Sequence, residues 1–339
     1  NSGSGILPRQ ACNYMKPSCL IRTVISTYIA LFVIVGFDSL NSNTYPAEKP
    51  TSHDPTSSLI SWIDQIDMHW GGRLKTIGSA TFARDDTIFE PVGNGTYLDL
   101  DADLRINNDT FFGNWGRLET QYEAILNGGE AYKKGQELRK TFPNFEGSTL
   151  FFSAPLNDDT RLMDLTHTIK EEDSYILLQR LDRLNFTFKP SWGFVRIGRQ
   201  AVTWGNGLIF NPMDLFNPFP PADIQRDYKV GDDMVLAQVA LPYSADLQLL
   251  YVVRRDPDTH NLEEDQNSLA SLLHFAVGTT EFAMMATRHY DDYVLGLGNS
   301  GIWGGAAWRL DATATFLNDG KGTNTRNYLT GVANIDYSW

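Results

Sequence analysis

At 339 residues the chain has room for one large β domain or two ordinary ones. Its formal charge of −13 argues against a nucleic-acid binder, which needs a basic patch to meet phosphates. The 28 glycines and a 12% aromatic share suit strands and tight turns better than helices.

Residues 1–14 precede Met15, the first plausible start, and read as upstream read-through. Met15-Lys16 and Arg22 then stand ahead of the apolar run TVISTYIALFVIVGF, residues 23–37. Basic then apolar is the order of a secretory signal, and the run falls short of the roughly 20 residues a spanning helix needs. Polar DSLNSNTYPAEKP follows without a clean A-x-A site, so cleavage is placed between Ser39 and Ala47. This predicts a signal over 15–47, a periplasmic lead-in over 48–65 and a β-barrel over 66–339; an uncleaved anchor is the alternative. Cys12 and Cys19 both fall before the cleavage zone, so the mature chain would carry no disulfide and no Cys-based metal site.

From residue 66 onward β-like segments recur, at about 66–79, 96–108, 114–127, 175–189, 192–202, 233–242, 245–255, 268–277, 279–289, 292–298, 302–317 and 327–339. In YLDLDADLRIN, Leu98, Leu100, Leu104 and Ile106 share one parity, while Asp99, Asp101, Asp103 and Arg105 share the other. A strand turns these sets to opposite faces. Arg117, Glu119 and Glu123 oppose Leu118, Tyr122 and Leu126 in the same way. A soluble one-sided sheet alternates too, so the pattern alone leaves both a membrane barrel and a soluble sheet open.

The connections separate the two readings. Residues 80–95 are long, then NDTFFG short; 128–174 long, then KPS short; 203–232 long, then PYS short; 256–267 long, then GT short. Outer-membrane barrels put short turns on one rim and long loops on the other. Trp115, Tyr122, Trp192, Phe194, Tyr243, Tyr251, Tyr290, Tyr293, Trp303, Tyr328, Tyr337 and Trp339 fall near predicted strand ends, where an aromatic girdle would sit. The expected fold is therefore an all-β, transmembrane antiparallel barrel of about 12 strands, whole or part of a larger one.

The most distinctive stretch is FVRIGRQAVTWGNGLIFNPMDLFNPFPPADIQRDYKVGDDM, residues 194–234. It resembles a signature of porin-like outer-membrane proteins of Gram-negative bacteria, of the alginate-export type or a similar porin-like family: a strand ending Gly-Arg-Gln, then Trp-Gly, an Asn-Pro-x-Asp turn and an acidic segment. The resemblance covers about 40 residues and implicates Gly198, Arg199, Gln200, Trp204, Gly205, Asn211, Pro212 and Asp214. The final Tyr-x-Trp resembles the C-terminal assembly signal of such barrels. Asn-Pro pairs favour turns, and Phe210, Leu215, Phe216 and Phe219 are too apolar for a loop in water, so the loop is expected to fold inward and narrow the lumen. A rim loop held by an Arg199–Asp214 pair is the competing expectation.

GNG at 205–207 and GKGTNT at 320–325 lack the context of phosphate cradles. No nucleophile triad or metal set stands out, and His289 ahead of Asp291 and Asp292 reads as a solvated rim turn. The sequence therefore predicts a passive outer-membrane channel for small polar solutes or ions, with no cofactor, no metal and no enzymatic activity. Its candidate pore-lining residues are Asp99, Asp101, Asp103, Arg105, Arg117, Glu119, Glu123, Asp182, Arg196, Arg254, Glu281 and Arg288. Expected partners are outer-membrane lipid and lipopolysaccharide, the barrel-assembly machinery, the solute and, as an open alternative, further copies of the chain. A non-conducting barrel with an enzymatic or adhesive role and a secreted soluble β protein are the rivals.

Overall fold

The computed structural model describes residues 33–34, 66–83, 90–93, 95–141, 157–208, 210–218, 227–318 and 327–337. The read-through, signal and lead-in lie outside the described residues, except Val33–Ile34, which pair antiparallel with Gly78 and Ile77. Phe219, the 320–325 glycine stretch and Trp339 also lie outside them.

Each of the twelve predicted segments is a strand. They are β1 (Ile66–Ala83), β2 (Gly95–Phe112), β3 (Gly116–Gly129), β5 (Tyr175–Phe188), β6 (Gly193–Gln200), β7 (Asp232–Leu241) and β8 (Ala245–Val252). They continue as β9 (Ser268–Val277), β10 (Thr280–His289), β11 (Asp292–Trp303), β12 (Ala306–Phe316) and β13 (Tyr328–Tyr337). Every one pairs antiparallel with the next of these twelve, so the sheet is a meander in sequence order. Among the described residues no ladder joins β13 to β1. No described helix is long and apolar enough to cross a membrane, a fact that concerns helices alone.

The predicted loop 128–174 contains two regular elements. Helix α1 spans Glu130–Thr141, and strand β4 spans Thr166–Glu172. The helix starts where the Asp99 carboxylate accepts the backbone N–H groups of Ala131 (2.9 Å) and Tyr132 (3.3 Å). A carboxylate belongs at the positive end of a helix, but here it comes from β2 and not from the local sequence. Strand β4 exists because β5 outruns β6. The short β6 covers Leu184–Phe188, and β4 takes Tyr175–Arg180 on the same edge. NDTFFG, expected as a turn, is largely strand. Asn108, Asp109 and Thr110 stay in the ladder, opposite Trp70, His69 and Met68, and the chain reverses at 113–115.

Exposure and burial follow the two parities of this sheet. Leu98 is 63% exposed and Leu297 62%, and Leu74, Ile197, Leu269, Met284, Leu295 and Ile335 are exposed with them. On the opposite parity Arg105 is 2% exposed, and Glu123, Asp182, Asn185, Thr187, Thr287, Asp311 and Thr313 are buried. Short reversals at 113–115, 189–192, 242–244, 278–279 and 304–305 all fall at one end. Exposed Trp115, Phe188, Trp192, Tyr243, Trp303 and Tyr337 gather there. Phe82, Tyr251, Tyr293, Phe316 and Tyr328 are exposed at the other end. Phe194 departs from the predicted girdle: it turns to the enclosed side and packs against the apolar cluster described next.

Candidate functional site

β6 ends in Gly198-Arg199-Gln200, and each residue has a mechanical use. Gly198 has φ +118°, and a Cβ there would stand 2.3 Å from the Leu184 carbonyl oxygen, so any side chain is excluded. Arg199 shares the parity of exposed Ile197, yet it is 1% exposed, because residues 157–165 fold over it. Its guanidinium donates to both oxygens of Asp158 (3.0 and 2.9 Å), to both of Asp233 (2.9 and 3.0 Å) and to the Met163 carbonyl. Gln200 donates to the carbonyls of Met234 (3.1 Å) and Arg196 (3.2 Å). The expected Arg199–Asp214 pair is not made. Asp214 instead accepts from Lys229, which also donates to the Val202 carbonyl (3.2 Å).

Burial alone would raise the Asp158 carboxyl, but hydrogen bonds and charge from Arg199 and Arg161 outweigh it and hold the group at about 2. A carboxylate depressed in the folded state adds stability above its ordinary value, about pH 4, and loses it as the pH falls toward the folded value. The gap in urea midpoint between the parent chain and an Asp158→Asn variant should therefore be widest near neutrality and vanish at about pH 2. An undiminished gap in acid would remove this clip from the account.

Residues 201–208 and 210–218 fold as a compact strap. Asn211 donates to the Trp204 carbonyl (2.7 Å) and accepts the Met213 N–H (3.2 Å), while Pro212 is buried. Gly205 has φ +94° and leaves no room for a Cβ against the Asn211 amide. Asn217 accepts the Val202 N–H (3.3 Å) and donates to the Val230 carbonyl (3.2 Å). The signature residues are thus used in folding the strap. Its apolar side chains Val202, Trp204, Met213 and Phe216 cluster with Met234, Leu236, Leu250, Val252, Leu272 and Met285 of β7–β10. Those wall residues have the parity opposite to exposed Val235, Leu249, Leu269 and Met284, so the strap lies on the enclosed face.

The strap also reaches both outermost strands. Trp204 Nε1 donates to Gln248 on β8 (2.8 Å), and two residues on the Asn206 N–H donates to Asp311 on β12 (2.5 Å). Four strand spacings amount to about 19 Å in a flat sheet; a concave wall brings both within reach. The Gly207 N–H also meets Asp311 (2.8 Å), and the Leu208 N–H meets Asn334 of β13 (3.3 Å). On the return, Asp227 accepts from Lys75 (2.9 Å) and Arg73 (2.6 Å) of β1. Tyr228 lies with its ring 4.2 Å from the Arg105 guanidinium and 4.9 Å from that of Arg73.

The return arm seals part of the ionic face. Arg105 pairs with Glu123 and with Asp182 (2.9 Å), Arg180 pairs with Glu123 (2.5 Å), and the Gly231 N–H donates to Asp182 (3.0 Å). Arg254 is buried against Asp232 (2.7 Å), the Phe216 carbonyl (3.3 Å) and Ser268 Oγ (3.1 Å). Arg105, Glu123, Asp182 and Arg254, predicted to line an aqueous surface, are instead closed off in ion pairs, because charge beneath a packed strap persists only when matched. Arg288 is a second kind of departure. It shares the outward parity of Met284 and meets Asp291 (3.4 Å) at a turn.

The other predicted residues are on the enclosed parity and less covered. Asp101 and Asp103 are half-buried, as is Asp99 at the start of α1. Arg117 pairs with Asp109 (2.7 Å), Glu119 accepts from Gln121 (2.8 Å) and Asn185 (3.2 Å), and Arg196 donates to Thr187 (3.0 Å). Glu281 is exposed and accepts from Ser300 (3.4 Å). Reading by residue type missed Asp158, Arg180, Arg183, Lys229 and Asp233. The alternation of β5 marked Arg180 beside Asp182, but nothing local marked Asp158. His289 is not a solvated turn: its Nδ1 lies 3.0 Å from Ser268 Oγ. Ser268 is 1% exposed beneath Arg254, so this pair is closed to a substrate. No protein-family model matches the chain, and no curated protein matches it.

Proposed function

We propose that the chain is a porin-like outer-membrane β-barrel that passes small polar solutes or ions by passive diffusion, its bore narrowed by the strap of residues 201–208 and 210–218 and by its return arm, residues 227–231. The observation that carries this reading is the inversion of the sheet: leucines exposed along one parity, charges and hydroxyls enclosed along the other. In water that costs about 25 cal/mol for each Å² of apolar surface left wet, whereas in lipid it is the stable arrangement.

Dimensions favour the same reading. From Tyr293 to Trp303 the outer face of β11 runs ten residues between its two aromatic ends. At about 3.3 Å per residue and a tilt near 40°, the apolar band is about 25 Å tall, the height of an outer-membrane band. A closed bore requires β13 to meet β1 on the edge where Val33–Ile34 pair with Ile77 and Gly78, so full closure follows removal of the predicted signal. The strap's bonds to Arg73 and Lys75 at one edge and Asn334 at the other favour that closure. The short-turn rim would face the periplasm, and the rim bearing α1 and residues 253–267 would face lipopolysaccharide. Insertion would use the barrel-assembly machinery.

With Arg105, Arg180 and Arg254 locked in pairs, the less covered enclosed charges are mainly Asp99, Asp101, Asp103 and Glu119 against Arg117 and Arg196. Rings of one sign select the opposite ion. Planar-bilayer recordings across a potassium chloride gradient should give a reversal potential of the sign for potassium preference. Chloride preference would overturn the selectivity, and absence of current from folded, heat-modifiable protein would overturn the channel.

A further inference from the structure

A pocket of about 300 Å³ lies between the strap and the short-turn half of β8–β10. Its apolar floor is Val202, Leu272 and Ala283, and its charged side is Asp246, Glu281 and His274. Among the described residues no Arg or Lys lines it. This sets it apart from the sealed part of the enclosed face, where Asp182, Asp232 and Glu123 each meet a guanidinium. Here the only ionic partner among the described residues is His274, 3.3 Å from Asp246 and 3.9 Å from Glu281.

Bonding inside the pocket leaves one carboxylate available. Trp204 donates to Gln248 (2.8 Å), and Gln248 donates to Asp246 (3.3 Å), so Asp246 is held in place by the amide and the imidazole. Among the described residues the Glu281 carboxylate meets Ser300 at 3.4 Å and the distant His274, and its side chain is 59% exposed. It therefore stands at the mouth with charge to offer. A pocket this size sits at the lower end of ligand-site volumes, and an oily floor under two carboxylates suits an alkyl chain ending in an ammonium group.

We propose that this pocket binds small aliphatic ammonium compounds at the strap, which makes them the solutes the bore favours. The second clause rests on the channel reading; the binding does not. Calorimetric titration of the detergent-solubilised full chain with butane-1,4-diamine, and with butane-1,4-diol as its uncharged counterpart, separates charge from shape. The diamine should bind at least about tenfold tighter than the diol, and Glu281→Gln should weaken it about fivefold, as expected for loss of one partly exposed ion pair. Equal affinity for diol and diamine, or an unchanged affinity in Glu281→Gln protein, overturns the site. Bilayer current is the independent readout. Protein that binds the diamine but passes no ions keeps the site and loses the channel, while protein that conducts but does not bind loses the site alone.

Discussion

Arg199→Ala is expected to be the most damaging single substitution in the chain. It would leave Asp158 and Asp233 facing each other without the guanidinium that now bonds all four of their oxygens. Removing one partner of a buried ion pair costs about 3–5 kcal/mol, because the remaining charge stays desolvated. Residues 157–165 would also lose the donor to the Met163 carbonyl that holds them across the end of β6. Arg199→Lys should recover little, since an ammonium cannot offer two forks to two carboxylates. Arg199→Met combined with Asp158→Asn and Asp233→Asn should recover more, since it removes the three buried charges together and leaves only the part-exposed Arg161 without its carboxylate. Urea titration of protein folded in micelles, read by heat-modifiable gel mobility, measures this. If the single variant unfolds within 1 kcal/mol of the parent, or the triple is no better than the single, the clip is not a main support of the fold.

Leu297→Arg tests the environment of the outer face. Leu297 is among the most exposed apolar residues of β11, midway between Tyr293 and Trp303. On a soluble sheet an exposed leucine tolerates arginine within about 0.5 kcal/mol. At the midplane of a bilayer the same change costs about 2–4 kcal/mol. Folding yield and urea midpoint in lipid vesicles should therefore fall steeply for Leu297→Arg. Phe316→Arg, at the outer end of β12 near the long-loop rim, should fall much less. Equal, small effects at both depths would mean that water, not hydrocarbon, meets these leucines.

These two substitutions also divide what was legible locally from what was not. The parity of Leu297, like that of Leu98 against Asp99, needs only the two-residue period of a strand, and all twelve segments of the meander were visible on that basis. The role of Gly198 was visible as a motif, and its reason, the approach of Leu184, became clear only in the fold. The partner of Arg199 was not visible at all. Asp158 lies 41 residues away and Asp233 lies 34 away, and Asp214, the nearer acid in the signature, is taken by Lys229.

What the sequence determined by itself is therefore the periodic part: strand positions, most of the oily and ionic parities, and the short reversals at 189–192, 242–244 and 278–279. Each of these depends on neighbours one to four residues apart. The tertiary structure alone decided which charges are wet and which are sealed, where α1 and β4 form, and that the strap spans from Arg73 to Asn334. Those outcomes depend on which distant groups the curled sheet brings face to face. A buried charge takes whichever counter-charge lies nearest in space, whatever its distance along the chain.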